Sequence, residues 1–188
     1  LSAVVAHHRG RALRQALHRQ GLQQFVLETV SALNRAIGEA WMRGEIQVFE
    51  EHLYTEQMQA LLRQAIGALP PGSGRPRILL TSVPEEQHIL GILMSEALLT
   101  LEGAGCVSLG TQTPLADIGL AAQAQQADIV ALSFSSAFPT RQVAPLLKQL
   151  RGMLAANIEV WAGGAALYCT IWASVTDWRL ILMPLLAN

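Results

Sequence analysis

Ile78-Leu79-Leu80-Thr81, followed after four residues by Glu86-Gln87-His88-Ile89-Leu90-Gly91, sits where the pattern of the chain changes. The first run is short, continuous and apolar, as in a strand buried on both faces. From Ile92 to Leu101 the apolar residues continue as a helix. A histidine between a strand and a helix is most often an ordinary hydrogen-bonded loop residue. Two neighbours sharpen the reading. Glu86 stands two residues before His88, close enough to orient an imidazole and raise its basicity, as the carboxylate behind a metal ligand does. Gly91 lets the backbone approach something bulky where a side chain would not fit.

Working outward, the same strand-then-helix unit repeats. The expected strands are 77–83, 105–109, 128–134, 158–162 and 179–183, with helices at 87–102, 115–125, 141–155 and 166–175. Continuous apolar strands alternating with helices predict a parallel sheet covered on both faces. Five units predict the flavodoxin-like (Rossmann-type) order 2-1-3-4-5, in which ligands bind beyond the carboxyl ends of the strands at the switch point. His88, Ser133 and Gly163-Gly164 all follow strands at those ends. Gly110-Thr111 opens a fourth loop on the same rim, where Gly110 permits a tight turn and Pro114 starts the next helix.

Upstream, Pro70-Pro71-Gly72-Ser73-Gly74-Arg75-Pro76 has neither helical nor strand period and reads as a linker, 70–76. It separates a domain 77–188 from a helical region 1–69. There Leu22, Phe25, Val26, Val30, Leu33 and Ile37 keep the 3.6 period, as do Met58, Leu61, Leu62, Ala65 and Ile66. With Gly10, Gly21, Gly38 and Gly44 as punctuation, this region predicts a four-helix bundle, one helix ending near Trp41 and another starting near Glu45. His7-His8 reads as a solvated helix face. No internal repeat or low-complexity tract is present.

The 188 residues are 51% hydrophobic and 14% charged, enough to bury a sizeable core, and the net charge of −1 argues against an intrinsic polyanion-binding surface. No window reaches the roughly 18 uninterrupted apolar residues of a membrane span. Cys106 and Cys169 fall in apolar settings and read as reduced residues of a cytoplasmic protein. The chain begins without Met, as a piece of a longer protein would.

Forty-one residues separate Gly91 from Ser133, and twenty-seven separate Ser135 from Gly163-Gly164. Acidic-x-His-x-x-Gly, a distant Ser-x-x and then Gly-Gly at these intervals resembles the binding signature of cobalamin (vitamin B12) domains, over residues 77 to about 185. The resemblance implies His88 as lower axial ligand of cobalt and Glu86 behind it. Gln87 and Gly91 would lie around that ligand, with Ser133, Ser135, Gly163 and Gly164 around the displaced nucleotide tail and Gly110 and Thr111 at the corrin edge. Two positions depart from the pattern: Glu86 where methyl-carrier members usually have Asp, and Ser135 where leucine is common.

A second constellation is Trp41, nine residues, then Glu51-His52, with Val48 three residues before Glu51 on the same helical face. By itself this is a core tryptophan beside an acidic run. Joined to a B12 domain, it resembles the light-sensing, adenosylcobalamin-dependent repressors of the MerR type. That resemblance implies Trp41, Val48, Glu51 and His52 over the upper face of the cofactor, and an assembly of copies that light changes. It also implies DNA binding through a winged-helix domain, whose helix-turn-helix pattern and basic surface these 188 residues lack. Some members carry a histidine directly after the tryptophan, which takes cobalt once light expels the adenosyl group. Here that residue is Met42, leaving His52 as the conceivable upper ligand. The chain is thus expected to be a sensor and not an enzyme. The competing expectation is a corrinoid methyl carrier of a methyltransferase system, which must expose its cobalt. A receiver-like fold without cofactor is disfavoured, because Thr81-Ser82 and Ser133-Phe134-Ser135-Ser136 stand where it needs acids.

Overall fold

The computed structural model describes residues 2–70 and 72–164, and the side chains from residue 10 onward. The chain splits into two compact units, Leu1–Leu69 and Pro70–Asn188.

In the first unit, α1 (Ser2–Gln20) stops at Gly21, whose φ of 76° no other residue type adopts as readily. The chain then runs on as one continuous helical stretch. It comprises α2 (Leu22–Gln24), a π-wound segment Phe25–Val30 and α3 (Ser31–Met42). After a turn comes α4 (Val48–Gly67). The expected four-helix bundle is therefore three helical stretches among the described residues. Gly10 and Gly38 lie inside helices and do not punctuate, since an exposed glycine costs a helix only about 1 kcal/mol. Gly44 does terminate one. The Gly44 amide donates to Trp41 O and the Glu45 amide to Ala40 O, both at 2.9 Å, around φ 68° at Gly44. This pair of bonds is the Schellman arrangement. Glu50 reaches back to the Gln47 amide at 3.0 Å, so α4 begins three residues later than Glu45.

Phe25, Val26, Val30, Met58, Leu61 and Leu62 form the buried stripe of this unit. Each contributes roughly 1.5–3 kcal/mol by leaving water. Tyr54 Oη donates to Asn34 Oδ1 at 2.5 Å, tying α4 to α3, and burial pushes the Tyr54 phenol above its ordinary range.

The second unit is a parallel sheet of β1 (Arg77–Thr81), β2 (Gly105–Gly110), β3 (Ile129–Ser133) and β4 (Glu159–Gly163), in the order β2-β1-β3-β4. The connecting helices are α5 (Leu90–Leu101), α6 (Leu115–Ala124) and α7 (Thr140–Met153). The expected strand 179–183 and helix 166–175 lie outside the described residues, as does Cys169. The described strands reproduce the first four places of the expected order. Alternate residues of one strand serve opposite layers. Leu79, Val130, Leu132 and Val160 join Ile118 and Leu150, while Ile78, Leu80 and Ile129 join Ile92. β1, in the middle, is buried on both faces. β2 is not: Val107 and Leu109 are exposed, because it is an edge strand of the described sheet. Cys106 is half-buried on β2, and burial pushes its thiol up.

The breaker-rich stretch before β1 does not hang free. Ser73 Oγ donates to Gly103 O at 3.1 Å. A Cβ on Gly72 would sit 2.6 Å from Gly103 Cα, and one on Gly105 would sit 2.5 Å from Gly74 O. These glycines are needed because backbone packs directly on backbone. No described helix is long and apolar enough to cross a membrane.

Candidate functional site

β1 and β3 are neighbours whose chain continues to opposite sides of the sheet, so a crevice opens beyond their carboxyl ends. The loop after β1 reaches it through a turn with Glu85 at φ 71°. Ser82 fixes that loop, its Oγ donating to Glu86 O at 2.7 Å and accepting the Gln112 amide at 3.0 Å. The loop after β2 is fastened to the same place. The Thr113 amide donates to Ser82 O at 3.0 Å, and the Thr81 and Thr113 hydroxyls are 2.8 Å apart. Thr81, Ser82 and Thr113 thus build the rim; Thr113 lies in the fourth loop expected there, while no motif marked Thr81 and Ser82, two hydroxyls at the end of β1 that are ambiguous until the loops are brought together.

Glu86 is 1% exposed. Its Oε1 accepts the His88 amide at 2.9 Å and stands 2.7 Å from His88 Nδ1, and its Oε2 accepts the Ser135 amide at 2.7 Å. One carboxylate therefore ties the loop after β1 to the end of β3. α5 begins at Leu90 and not at 87, with the Leu93 amide donating to Ile89 O at 3.1 Å. Burial alone would push the Glu86 carboxyl up. Hydrogen bonds from the side chain and backbone of His88 and Ser135 outweigh that, holding it below the ordinary carboxylate range. An ionised carboxylate only accepts, so Nδ1 carries a proton, and in the neutral imidazole the lone pair is then on Nε2. The His88 side chain is 58% exposed, and Ser135 Oγ lies 3.0 Å from its Nδ1. Gln87 beside it is exposed.

The glycines of the pattern have neighbours within this chain. A Cβ on Gly91 would meet Ser133 Oγ at 2.5 Å, so the bulky group that Gly91 admits is Ser133. Gly163 O accepts the Phe134 amide at 2.9 Å. Gly164 has φ 115°, and a Cβ there would sit 2.0 Å from Phe134 O. Gly110, at φ 83°, turns the chain in open space and leads into Thr111.

The helical unit holds the other predicted group. Trp41 ends α3 and is 46% exposed; Val48 in the first turn of α4 is exposed too. His52 Nδ1 is 2.6 Å from Glu51 Oε2, and Thr55 Oγ1 donates to Glu51 Oε1 at 2.6 Å. Met42 is 80% exposed, and with Phe49 and Leu53 it adds to the apolar surface near this turn.

A metal caged by protein alone needs several ligands. Among the described residues no three His, Cys, Asp or Glu side chains gather into such a set. One exposed imidazole with its far nitrogen fixed by a carboxylate is the right donor for a metal whose remaining positions a macrocycle supplies. The residues present fit a corrinoid.

Comparisons with known proteins agree. Residues 7–66 match the family model described as a B12 binding domain. The HTH-type transcriptional repressor CarH of Myxococcus xanthus is 33% identical over 139 residues, covering 74% of this chain and 46% of the repressor. CarA of the same organism is 33% identical over 107 residues, 57% of this chain and 37% of that one. The chain spans less than half the length of these curated relatives. The structure of the Methanosarcina barkeri monomethylamine corrinoid protein aligns with a TM-score of 0.55 at 18% identity, covering 82% of this chain and 83% of that one, a likeness of fold. The N-terminal helices, over residues 7–66, are similar to the B12 binding domain model, a parallel-sheet unit follows them, and the chain is similar in sequence to two transcriptional repressors.

Proposed function

We propose that this chain is the cobalamin-holding, light-sensing part of a transcriptional regulator. It keeps adenosylcobalamin in the dark and changes conformation or assembly after illumination. The observation that carries the reading is the buried Glu86 holding His88 by both its amide and its Nδ1, which leaves Nε2 to bind a metal. When bound, the cofactor supplies a cobalt–carbon bond that visible light breaks.

The chain's own residues would act as follows. His88 serves as lower ligand, oriented by Glu86. Ser133, Gly163 and Gly164 line the end of the crevice that would receive the displaced nucleotide tail. Trp41, Val48, Glu51 and His52 hold the adenosyl group, the indole by contact and the carboxylate by accepting from ribose hydroxyls. Without that group the exposed apolar residues around Trp41 would lose a partner, which biases the contacts the helices make with another copy. DNA is reached through a domain other than those described.

The second reading is a corrinoid methyl carrier, supported by the fold shared with the monomethylamine corrinoid protein. The two differ at the upper face, which a carrier leaves open to its partner enzymes. Loading the purified chain in the dark and recording absorption before and after green light tests the first reading. Preference for adenosylcobalamin and a light-dependent spectrum are expected. Preference for methylcobalamin, with no discrimination lost in Trp41→Ala, would replace it by the second.

A further inference from the structure

We infer that α1 makes a second, sequence-independent DNA contact, its arginine stripe binding the phosphodiester backbone of a duplex. The inference extends the regulator reading above, since the occupant is the DNA on which such a protein sits. The net charge of −1 conceals a segregation along the chain. Of 13 Lys and Arg and 14 Asp and Glu, residues 1–27 hold four arginines and no acid. That stretch is therefore +4, while nine basic against 14 acidic residues leave the rest of the chain at −5. A whole-chain charge near zero argues against a polyanion only when the two signs are mixed, and here they are not.

The helix decides where this charge is presented. At 3.6 residues per turn Arg11, Arg14 and His18 fall within about 60° of one another, and Arg19 flanks them. All four are exposed. Leu13, Ala16 and Leu17, away from that arc, are half-buried, and α1 packs against the π-wound segment and α4. No carboxylate among the described residues pairs with Arg11, Arg14 or Arg19. From position 11 to position 18 the stripe runs about 10 Å, the length of about three successive phosphates at roughly 3.4 Å of duplex axis each. Guanidinium forks match phosphate oxygens in pairs. A lipid surface would need the apolar side of the helix as well, and that side is spent on packing within the unit. The acidic remainder of the chain is repelled by the same backbone, so the contact has one orientation, with α1 toward the duplex. Bases are read by the other domain, and α1 adds affinity without choosing a sequence.

The test titrates the cobalamin-free chain of 188 residues into a fluorescent DNA duplex of mixed sequence and follows anisotropy as salt rises. Contacts from Arg11, Arg14 and Arg19 predict an affinity that falls about 40-fold between 50 and 200 mM salt, at a slope of about 0.9 per phosphate neutralised. Arg11→Gln combined with Arg14→Gln should flatten that fall to about 4-fold, with helix propensity nearly unchanged. Arg11→Lys with Arg14→Lys should keep the wild-type slope, and so should Lys148→Gln, which removes an exposed charge from α7. No binding of the duplex at low salt, or the same salt dependence in the wild-type and Gln chains, would overturn the inference. So would a stripe that serves another occupant: self-association lost in the Gln chain, or binding to phosphatidylserine vesicles, without binding to the duplex. A chain that binds the duplex as expected but takes up no cobalamin sinks the function proposed above and leaves this inference standing.

Discussion

Glu86–His88 and Glu51–His52 place the same two side chains almost equally far apart, 2.7 and 2.6 Å from carboxylate oxygen to Nδ1, in opposite surroundings. Glu86 is buried and fixed by amides from two different loops. The Glu51 side chain is 29% exposed, its His52 partner is 70% exposed, and Glu51 is braced by Thr55 of its own helix. The first pair is assembled by tertiary structure and cannot move without breaking the rim. The second joins neighbours on one helix, with its imidazole largely in solvent, where such a pair is worth only about 0–1 kcal/mol. Under the proposed function the first pair would stay fixed while the second could yield.

The largest expected effect tests the rigid side. Gly164→Ala adds a Cβ 2.0 Å from Phe134 O at a φ of 115°, so neither rotamer nor backbone relieves it. A loss of about 3 kcal/mol or more is expected on the denaturation midpoint. Gly44→Ala, in the helical unit, meets open space and only the left-handed backbone cost, about 1–2 kcal/mol. Equal losses would remove the contrast between the regions.

Glu86→Gln comes next. It keeps the shape and removes the charge that holds Nδ1–H, so cobalamin affinity should fall about 10–100-fold in a binding titration. The same substitution has a pH signature. The Glu86 carboxyl is held below its ordinary value of 4.5, so its contribution to stability is fully present above that value and lost as pH falls through the folded value. Thermal midpoints of the wild-type chain should drop faster below that pH than those of Glu86→Gln. Parallel curves would mean that Glu86 is not ionised in the fold.

Trp41→Ala should cost roughly tenfold in preference for adenosylcobalamin over methylcobalamin while leaving the corrin bound. Unaltered discrimination would move the upper face elsewhere. The smallest expected effect is His52→Ala, under about 0.5 kcal/mol in stability because the pair is exposed. Its value is spectroscopic. Cobalt(III) prefers nitrogen to the Met42 thioether, so an altered photoproduct spectrum would identify His52 as the upper ligand after illumination, and an unaltered one would leave water there.

The strands of the sheet unit were legible because their apolar runs are short, continuous and bounded by breakers. Each described strand begins within a residue of the expected place. The start of α5 was not legible, because the loop before it is held by tertiary bonds, Ser82 Oγ to Glu86 O and the Ser135 amide to the Glu86 carboxylate, that no local pattern announces. Nor was the fusion of Leu22 to Met42 into one helical stretch, since Gly38 looks like a stop until the flanking turns are seen to continue through it.

Sequence by itself determined the alternation of strand and helix, the order that follows from it, and the intervals that bring His88, Ser133 and Gly163-Gly164 to one rim. Those features are periodic or local, and local propensity and hydrophobic spacing are written along the chain. Only tertiary structure decided what each residue does there. Gly91 makes room for Ser133, Gly164 for the Phe134 carbonyl, and Ser135 donates to Glu86 across 49 positions of sequence. Hydrogen bonds and steric contacts act over about 3 Å, and no spacing in the chain announces which groups the fold will bring that close.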